Sequence, residues 1–225
     1  MIFNSHLDIM KRLVSFLHDE LKIKDKNVYA KFIQYNRLLL EWNSKINLIS
    51  RSSDSIEAQV LNSIFFLTKY PIPSGAKIID IGTGGGFPGI PLKILDESLN
   101  ILMADSILKK TNAVSDLVKN LGLKNTETIC GRAETISREM PYIRKFDIVT
   151  AKSVATLDKL YSWTRNFLND NGKMIFIKGG DISDELKALK KKEKNISAEV
   201  IEYRFARVYG IEDKKIVVIR SVKTR

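Results

Sequence analysis

The stretch IIDIGTGGGFPGIPLKI, residues 78–94, constrains the fold more than any other part of this 225-residue chain. Branched aliphatic residues run into Asp80 and then into glycine at positions 82, 84, 85 and 86. Phe87, Pro88 and Gly89 follow, and then a renewed apolar pattern. Glycine reaches backbone conformations closed to other residues and lets another molecule lie against the main chain. A strand that ends in such a loop and resumes as a helix is where open α/β sheets bind ligands. Two familiar readings of the loop fail on spacing. A Walker A loop needs lysine and a hydroxyl after its last glycine, and here Ile90 and Pro91 follow Gly89. A dinucleotide fingerprint needs glycine or alanine three positions after its second glycine. Counted from Gly82 and Gly84, that position is Phe87, too large for close strand–helix packing.

The rest of the chain supplies the sheet that such a loop requires. To about residue 70 the pattern is helical. Met10, Leu13, Val14, Leu17 and Leu21 recur at helical spacing, as do Phe32, Ile33, Asn36, Leu39 and Leu40. A third helix through Ile56, Val60, Ile64 and Leu67 is predicted to end before Pro71 and Pro73. From Lys77, short apolar runs at 77–81, 101–105, 127–130, 146–151 and 173–178 alternate with helical stretches, which predicts βαβ units and a parallel sheet. Two more runs, 199–208 and 214–222, flank a turn at 209–213 and predict a hairpin. The expected fold is α/β: a doubly wound, mostly parallel seven-stranded sheet with a C-terminal hairpin. It spans residues 73–225 and is preceded by an N-terminal helical extension, residues 1–72, in one compact unit.

Charge and composition narrow the partners. The net charge is +11 and the pI about 9.6, which points to an acidic partner, nucleic acid first. No apolar run approaches the roughly 18–20 residues that span a bilayer, so no membrane partner is expected. The first 20 residues carry charges inside their apolar stretch and no small-residue cleavage site, so a cytoplasmic location is expected. Cys130 is the sole cysteine, which excludes intramolecular disulfides and Cys-rich metal sites; no metal is expected. Ending the third strand, Cys130 reads as a small buried hydrophobe. His6 and His18 read as partly exposed residues of the N-terminal helices, without a chemical role.

The pattern left for the loop, Asp80-x-Gly82-x-Gly84-x-Gly86, resembles motif I of the class I S-adenosylmethionine (SAM) methyltransferases, whose fold is Rossmann-like. That cofactor carries no phosphate, so the loop need only admit its methionine end close to the backbone. Asp80 is expected to meet the ligand's ammonium group, directly or through water, although a strand-end turn former is the plainer role. Asp105 ends the second strand about 20 residues past the glycines, where an acid accepts ribose hydroxyls. It could equally cap the helix beginning near Ser106.

The strings DIGTGGGFPGIPLKI, DSILKK, GRAE, FDIVTAKSVATL and FIKG, with EWNSKINLIS ahead of them, are together similar to the bacterial small-subunit (16S) rRNA guanine-N7 methyltransferases. That family is also called glucose-inhibited division protein B. The resemblance covers about residues 30–180. It implies SAM contacts at Gly82, Phe87, Ala133, Glu134 and Lys152, the last standing where the family has arginine. Glu134 could otherwise be an acid at a helix start. A family His-Ile-x-Asp-Ser stretch appears here as QVLNS, with Gln59 and Asn62 replacing the ionisable pair. The implied reaction is methyl transfer from SAM to N7 of a guanine in 16S rRNA by direct in-line attack. N7 offers a lone pair and no proton, so no general base is needed. Positioning alone can then supply roughly 7–11 kcal/mol. No catalytic side chain is assigned; Lys152, Lys178 and Arg51 are candidates, and with the lysines of 187–194 they are also candidates to grip phosphates. The implied partner is 16S rRNA or the small ribosomal subunit, and the implied state a monomer. Two other readings are a SAM enzyme acting on another RNA or a small molecule, and a ribosome-assembly factor without turnover.

Overall fold

The computed structural model describes residues 10–222. Of the first strand, β1 (Lys77–Ile81), every residue but Lys77 is buried, the mark of a strand covered on both faces. Around it lie β2 (Asn100–Asp105), β3 (Thr126–Cys130), β4 (Phe146–Lys152), β5 (Leu168–Gly179), β6 (Ile196–Tyr203) and β7 (Lys214–Ser221). They form one seven-stranded sheet in the order β3-β2-β1-β4-β5-β7-β6. Strands β1 to β5 pair in parallel, and β7 runs antiparallel to both β5 and β6. The order reverses between β1 and β4, which opens a crevice at their carboxyl ends.

Three helices precede the sheet: α1 (Lys11–Asp19), α2 (Lys26–Asn43) and α3 (Glu57–Ile64). Five lie among the strands: α4 (Gly89–Leu95), α5 (Leu108–Asn120), α6 (Ala133–Ile136), α7 (Leu157–Thr164) and α8 (Ser183–Lys192). Asp25 starts α2 by accepting the Asn27 amide at 2.8 Å. The buried Glu57 carboxylate accepts from Arg12 Nε at 2.6 Å and the Leu13 amide at 3.0 Å, which ties α1 to α3.

Side chains alternate across the strands and divide the core in two. Ile78, Ile148, Ile175, Ile216 and Val218 face the N-terminal helices together with α4 and α5. Ile79, Ile81, Val149, Phe176 and Val217 face α6, α7 and α8. The helical extension therefore has no core of its own. Its Phe16, Tyr35, Leu39 and Val60 are buried in the same cluster as the strands.

Three expectations are corrected. β6 ends at Tyr203 instead of continuing to 208. Beyond it Phe205 and Tyr209 turn inward against Phe16, at ring distances of 5.5 and 5.3 Å, so aromatic packing on α1 outweighs strand continuation. Cys130 is exposed, because β3 is an edge strand whose last residue is left uncovered. The Asp105 carboxylate does not cap from the N-cap position, since α5 starts only at Leu108. His18 is exposed beside Asp19, at 2.7 Å, and His6 lies outside the described residues. Among the described residues no helix is long and apolar enough to cross a membrane, and no group of acidic, His and Cys side chains could hold a metal ion.

Candidate active site

A cleft of about 200 Å³ opens at the carboxyl ends of β1, β2 and β3. Its walls include Ile81, Gly82, Asp105, Gly131, Ala133 and Glu134, with Val154 and Trp163 closing it from the β4 side. Gly82 has φ +65°, and a Cβ there would stand 2.6 Å from Val154 Cγ2, so only glycine fits beneath that valine. Two tight bonds shape the loop as a turn, Gly86 N and Phe87 N to Thr83 O, both at 2.8 Å.

Asp105 organises the cleft. One carboxylate oxygen accepts the Gly84 amide at 3.0 Å and the other the Ile107 amide at 3.0 Å. The acid is thus bonded to the glycine loop on one side and to the turn leading into α5 on the other, and it is almost fully buried. Each oxygen retains capacity for a further donor. Gly131 N donates to the Asp105 carbonyl at 3.0 Å, which draws the turn after β3 to the same point. Glu134, in the first turn of α6, stands 3.9 Å from the exposed Arg132.

Gly82, Asp105, Ala133 and Glu134 of the expected cofactor set therefore converge on one cleft, with Gly84 tied to it through Asp105. The rest of the set lies elsewhere. Asp80 is fully buried beneath the loop; its oxygens accept from Thr83 Oγ1 at 2.7 Å, the Gly89 amide at 3.1 Å and Thr150 Oγ1 at 3.1 Å. Burial pushes its carboxyl up to about 6, against the pull of these donors and of Lys152. It braces the loop from below and is absent from the cleft wall. Gly86 faces Ile90 and the Tyr35 hydroxyl, and Phe87 is buried 5.5 Å from the Tyr35 ring. Register gives the reason for Asp80: it pairs with Met103, two residues short of Asp105, so it sits below the strand ends that line the cleft, and alternation turns it with Ile78 toward the helical layer.

Lys152 obeys the same alternation. Its ammonium donates to Gln59 Oε1 of α3 at 3.0 Å and lies 5.5 Å above the Phe87 ring. Burial lowers its pKa, Asp80 opposes that shift, and Lys214 adds to it. Two positions that depart from the resembling family's pattern, Gln59 and Lys152, are thus direct partners. Lys178 is committed as well, to Glu185 at 2.7 Å and the Ala155 carbonyl at 2.9 Å, beneath the turn that starts α7. Arg51 is exposed on the segment between α2 and α3. Sequence reading missed Val154, Trp163 and Gly131. Only Gly131 carried a signal, a glycine directly after a strand end, as at Gly82.

Comparison with known proteins bears on this site. The family described as GidB, rRNA small subunit methyltransferase G, matches residues 28–216. A relative named ribosomal RNA small subunit methyltransferase G, from Clostridium novyi (strain NT), is 34% identical over 207 residues, 91% of this chain and 85% of its own. Another of that name, from Clostridium botulinum (strain ATCC 19397 / Type A), is 35% identical over 211 residues, 90% and 86% of the two chains. Among solved structures, a SAM-dependent methyltransferase from Aquifex aeolicus superposes with a TM-score of 0.52 at 17% identity, covering 71% of this chain and 90% of its own. A mutant of MtNAS in complex with S-adenosylmethionine gives 0.59 at 13% identity, covering 87% and 78%. These structural likenesses carry the fold alone, that of the SAM-dependent methyltransferases. The family match and the two relatives carry more: the chain belongs to the rRNA small subunit methyltransferase G family.

Proposed function

We propose that this protein transfers a methyl group from S-adenosylmethionine to N7 of a guanine in 16S rRNA. The observation that carries the reading is the cleft in which Gly82, Asp105 and Glu134 converge from the ends of β1, β2 and the turn after β3.

The residues present fit the cofactor. The backbone at Gly84 faces open space, since a Cβ there would meet nothing nearer than 4.0 Å. Asp105 has acceptor capacity left for ribose hydroxyls, and Ala133 and Glu134 line the same cleft as candidates to hold the adenine, with Ile81, Val154 and Trp163 as apolar walls. When bound, SAM supplies an electrophilic methyl on a sulfonium centre. The acceptor nitrogen carries no proton, so the chain need provide no base, and its work is orientation and exclusion of water. Lys152 uses one of its three N–H groups on Gln59 and keeps others for an anionic group on the side of the helical layer. Lys178, paired with Glu185, is not free to do so. Arg51 and the exposed Lys190 and Lys191 of α8 are candidates to meet phosphates, which fix register and carry no sequence information. The reading carries with it a cytoplasmic, monomeric enzyme.

Transfer of labelled methyl from SAM to small ribosomal subunits lacking the modification, with the modified base mapped, tests the proposal. Label at N7 of one guanine is the expected result. Label elsewhere, or none, overturns it.

A further inference from the structure

The glycine loop is held from a direction that the cofactor chemistry does not require. Tyr35 of α2 is fully buried, and its hydroxyl donates to the Gly85 carbonyl at 2.7 Å. On the other side the Gly84 amide donates to Asp105 at 3.0 Å. The Gly84–Gly85 dipeptide is therefore pinned at both ends by groups pulling in opposite directions. Helix α2 also lies hard against the loop. A Cβ at Gly85 would stand 3.1 Å from Leu39 Cδ1, and one at Gly86 would stand 3.2 Å from the Tyr35 hydroxyl.

The helix that carries Tyr35 is itself fixed to the frame of the site. Trp42 Nε1 donates to Asp116 Oδ2 at 2.8 Å, and Gln34 Nε2 donates to the Asn120 carbonyl at 3.0 Å. Both acceptors belong to α5, the helix that follows the Asp105 strand. Loop, carboxylate and helix thus form a closed set of ties. Glycine gives up more conformational freedom on ordering than any other residue, and four lie in this loop. Without an outside tie, part of the binding free energy of any ligand would go into ordering it.

We infer that Tyr35 is a positioning residue of the cofactor site: its hydroxyl holds the Gly84–Gly85 segment in the shape that receives SAM. The inference rests on the cleft being the SAM site. Tyr35 is absent from the cleft wall, so it acts on cofactor affinity through the loop and leaves the chemical step alone. The N-terminal helical layer is by this route a working part of the cofactor pocket.

The test compares the full-length wild type with Tyr35→Phe and Tyr29→Phe, using SAM in calorimetry and small ribosomal subunits in the transfer assay. Tyr35→Phe leaves the Gly85 carbonyl buried without its donor, and is expected to raise the Kd and KM for SAM about tenfold. At saturating SAM, kcat stays within about twofold, and the KM for subunits is unchanged. Tyr29→Phe removes the hydrogen bond from the Tyr29 hydroxyl to the Ile23 carbonyl, 2.6 Å, at the start of the same helix and outside this set of ties; it lowers the Tm and leaves the Kd for SAM alone. Equal Kd values for wild type and Tyr35→Phe overturn the inference. So does a Tyr29→Phe variant that loses as much affinity as Tyr35→Phe, because the effect would then be general loosening. Should Tyr35→Phe not fold, Leu39→Val, which withdraws the methyl nearest Gly85, is expected to raise the Kd two- to threefold; an unchanged Kd overturns the inference. Failure of the wild type itself to bind SAM refutes the proposed function, whereas wild-type binding with no loss in the variants refutes this inference alone.

Discussion

Asp80→Asn isolates the cost of a carboxylate sealed beneath the glycine loop. Desolvation raises this carboxyl from an ordinary 3.8 to about 6, although Thr83, Gly89 and Thr150 all donate to it. Each tenfold difference in proton affinity is worth about 1.4 kcal/mol. The ionised form is therefore about 3 kcal/mol less well tolerated in the folded chain than in the unfolded one. Because the folded value is the higher one, Asp80's contribution to stability is fully present below about pH 4 and is lost as pH rises through 6. Asparagine can keep its oxygen toward Thr83 and Gly89 and turn its amide toward the Thr150 hydroxyl, a donor–acceptor pairing that never ionises. Urea unfolding of both proteins, followed by circular dichroism between pH 4 and 8, reads the difference between them, in which all other titrations cancel. The stability of wild type relative to Asp80→Asn is expected to fall by about 3 kcal/mol across pH 4–6 and to level off above. A difference that is flat over this window, or that turns in favour of the wild type as pH rises, would refute the reasoning, since the three donors would then outweigh burial.

Further outcomes follow from the site. Asp105→Ala removes the acceptor of both the Gly84 and Ile107 amides; it should cost about 1–3 kcal/mol of stability and abolish the rise in Tm that SAM gives the wild type, as thermal shift would report. Gly82→Ala puts a methyl 2.6 Å from Val154 Cγ2 at a left-handed backbone position, so SAM binding should be lost in calorimetry, and Val154→Ala in the same chain should restore part of it. Lys152→Met and Gln59→Met remove two ends of one contact. A double-mutant cycle in urea should find them coupled by roughly 0.5–1.5 kcal/mol, and additivity within about 0.3 kcal/mol would disprove the partnership.

What the sequence made legible, and what it hid, follows from where each signal resides. The strands of the parallel sheet and the glycine loop are written locally, as aliphatic runs and a composition no buried element tolerates without reason. Asp105 was legible because its distance from the glycines is fixed by one βαβ turn of chain. Asp80 reads like Asp105 because both are acids near a strand end; what differs is the register, Asp80 pairing with Met103, two residues short of Asp105. Paired with Thr150 across β1 and β4, it falls on the side of the helical layer. Lys152 ends β4 on the same face, where alternation along FDIVTAK from Thr150 places it. The hairpin was legible but its docking was not, since nothing in the periodicity of β6 and β7 says which of them joins β5. Val154, Trp163 and Tyr35 were hidden more deeply: each looks like ordinary core or surface until the fold brings the first two against the cleft and Tyr35 against the loop.

The insertion of β7 between β5 and β6 bears on how this chain is made. The last of the seven strands to leave the ribosome is the sixth across the sheet, and Ile216 to Ile219 are wholly enclosed. A nascent chain that has reached only residue 213 holds every group of the cofactor cleft, yet leaves the flank of β5 open, with Ile175 and Phe176 lacking the strand that pairs with them. Such an edge invites association with other chains. Synthesis stalled just short of β7 should therefore yield an aggregating product, and the final strand acts as the closing stitch of the whole sheet.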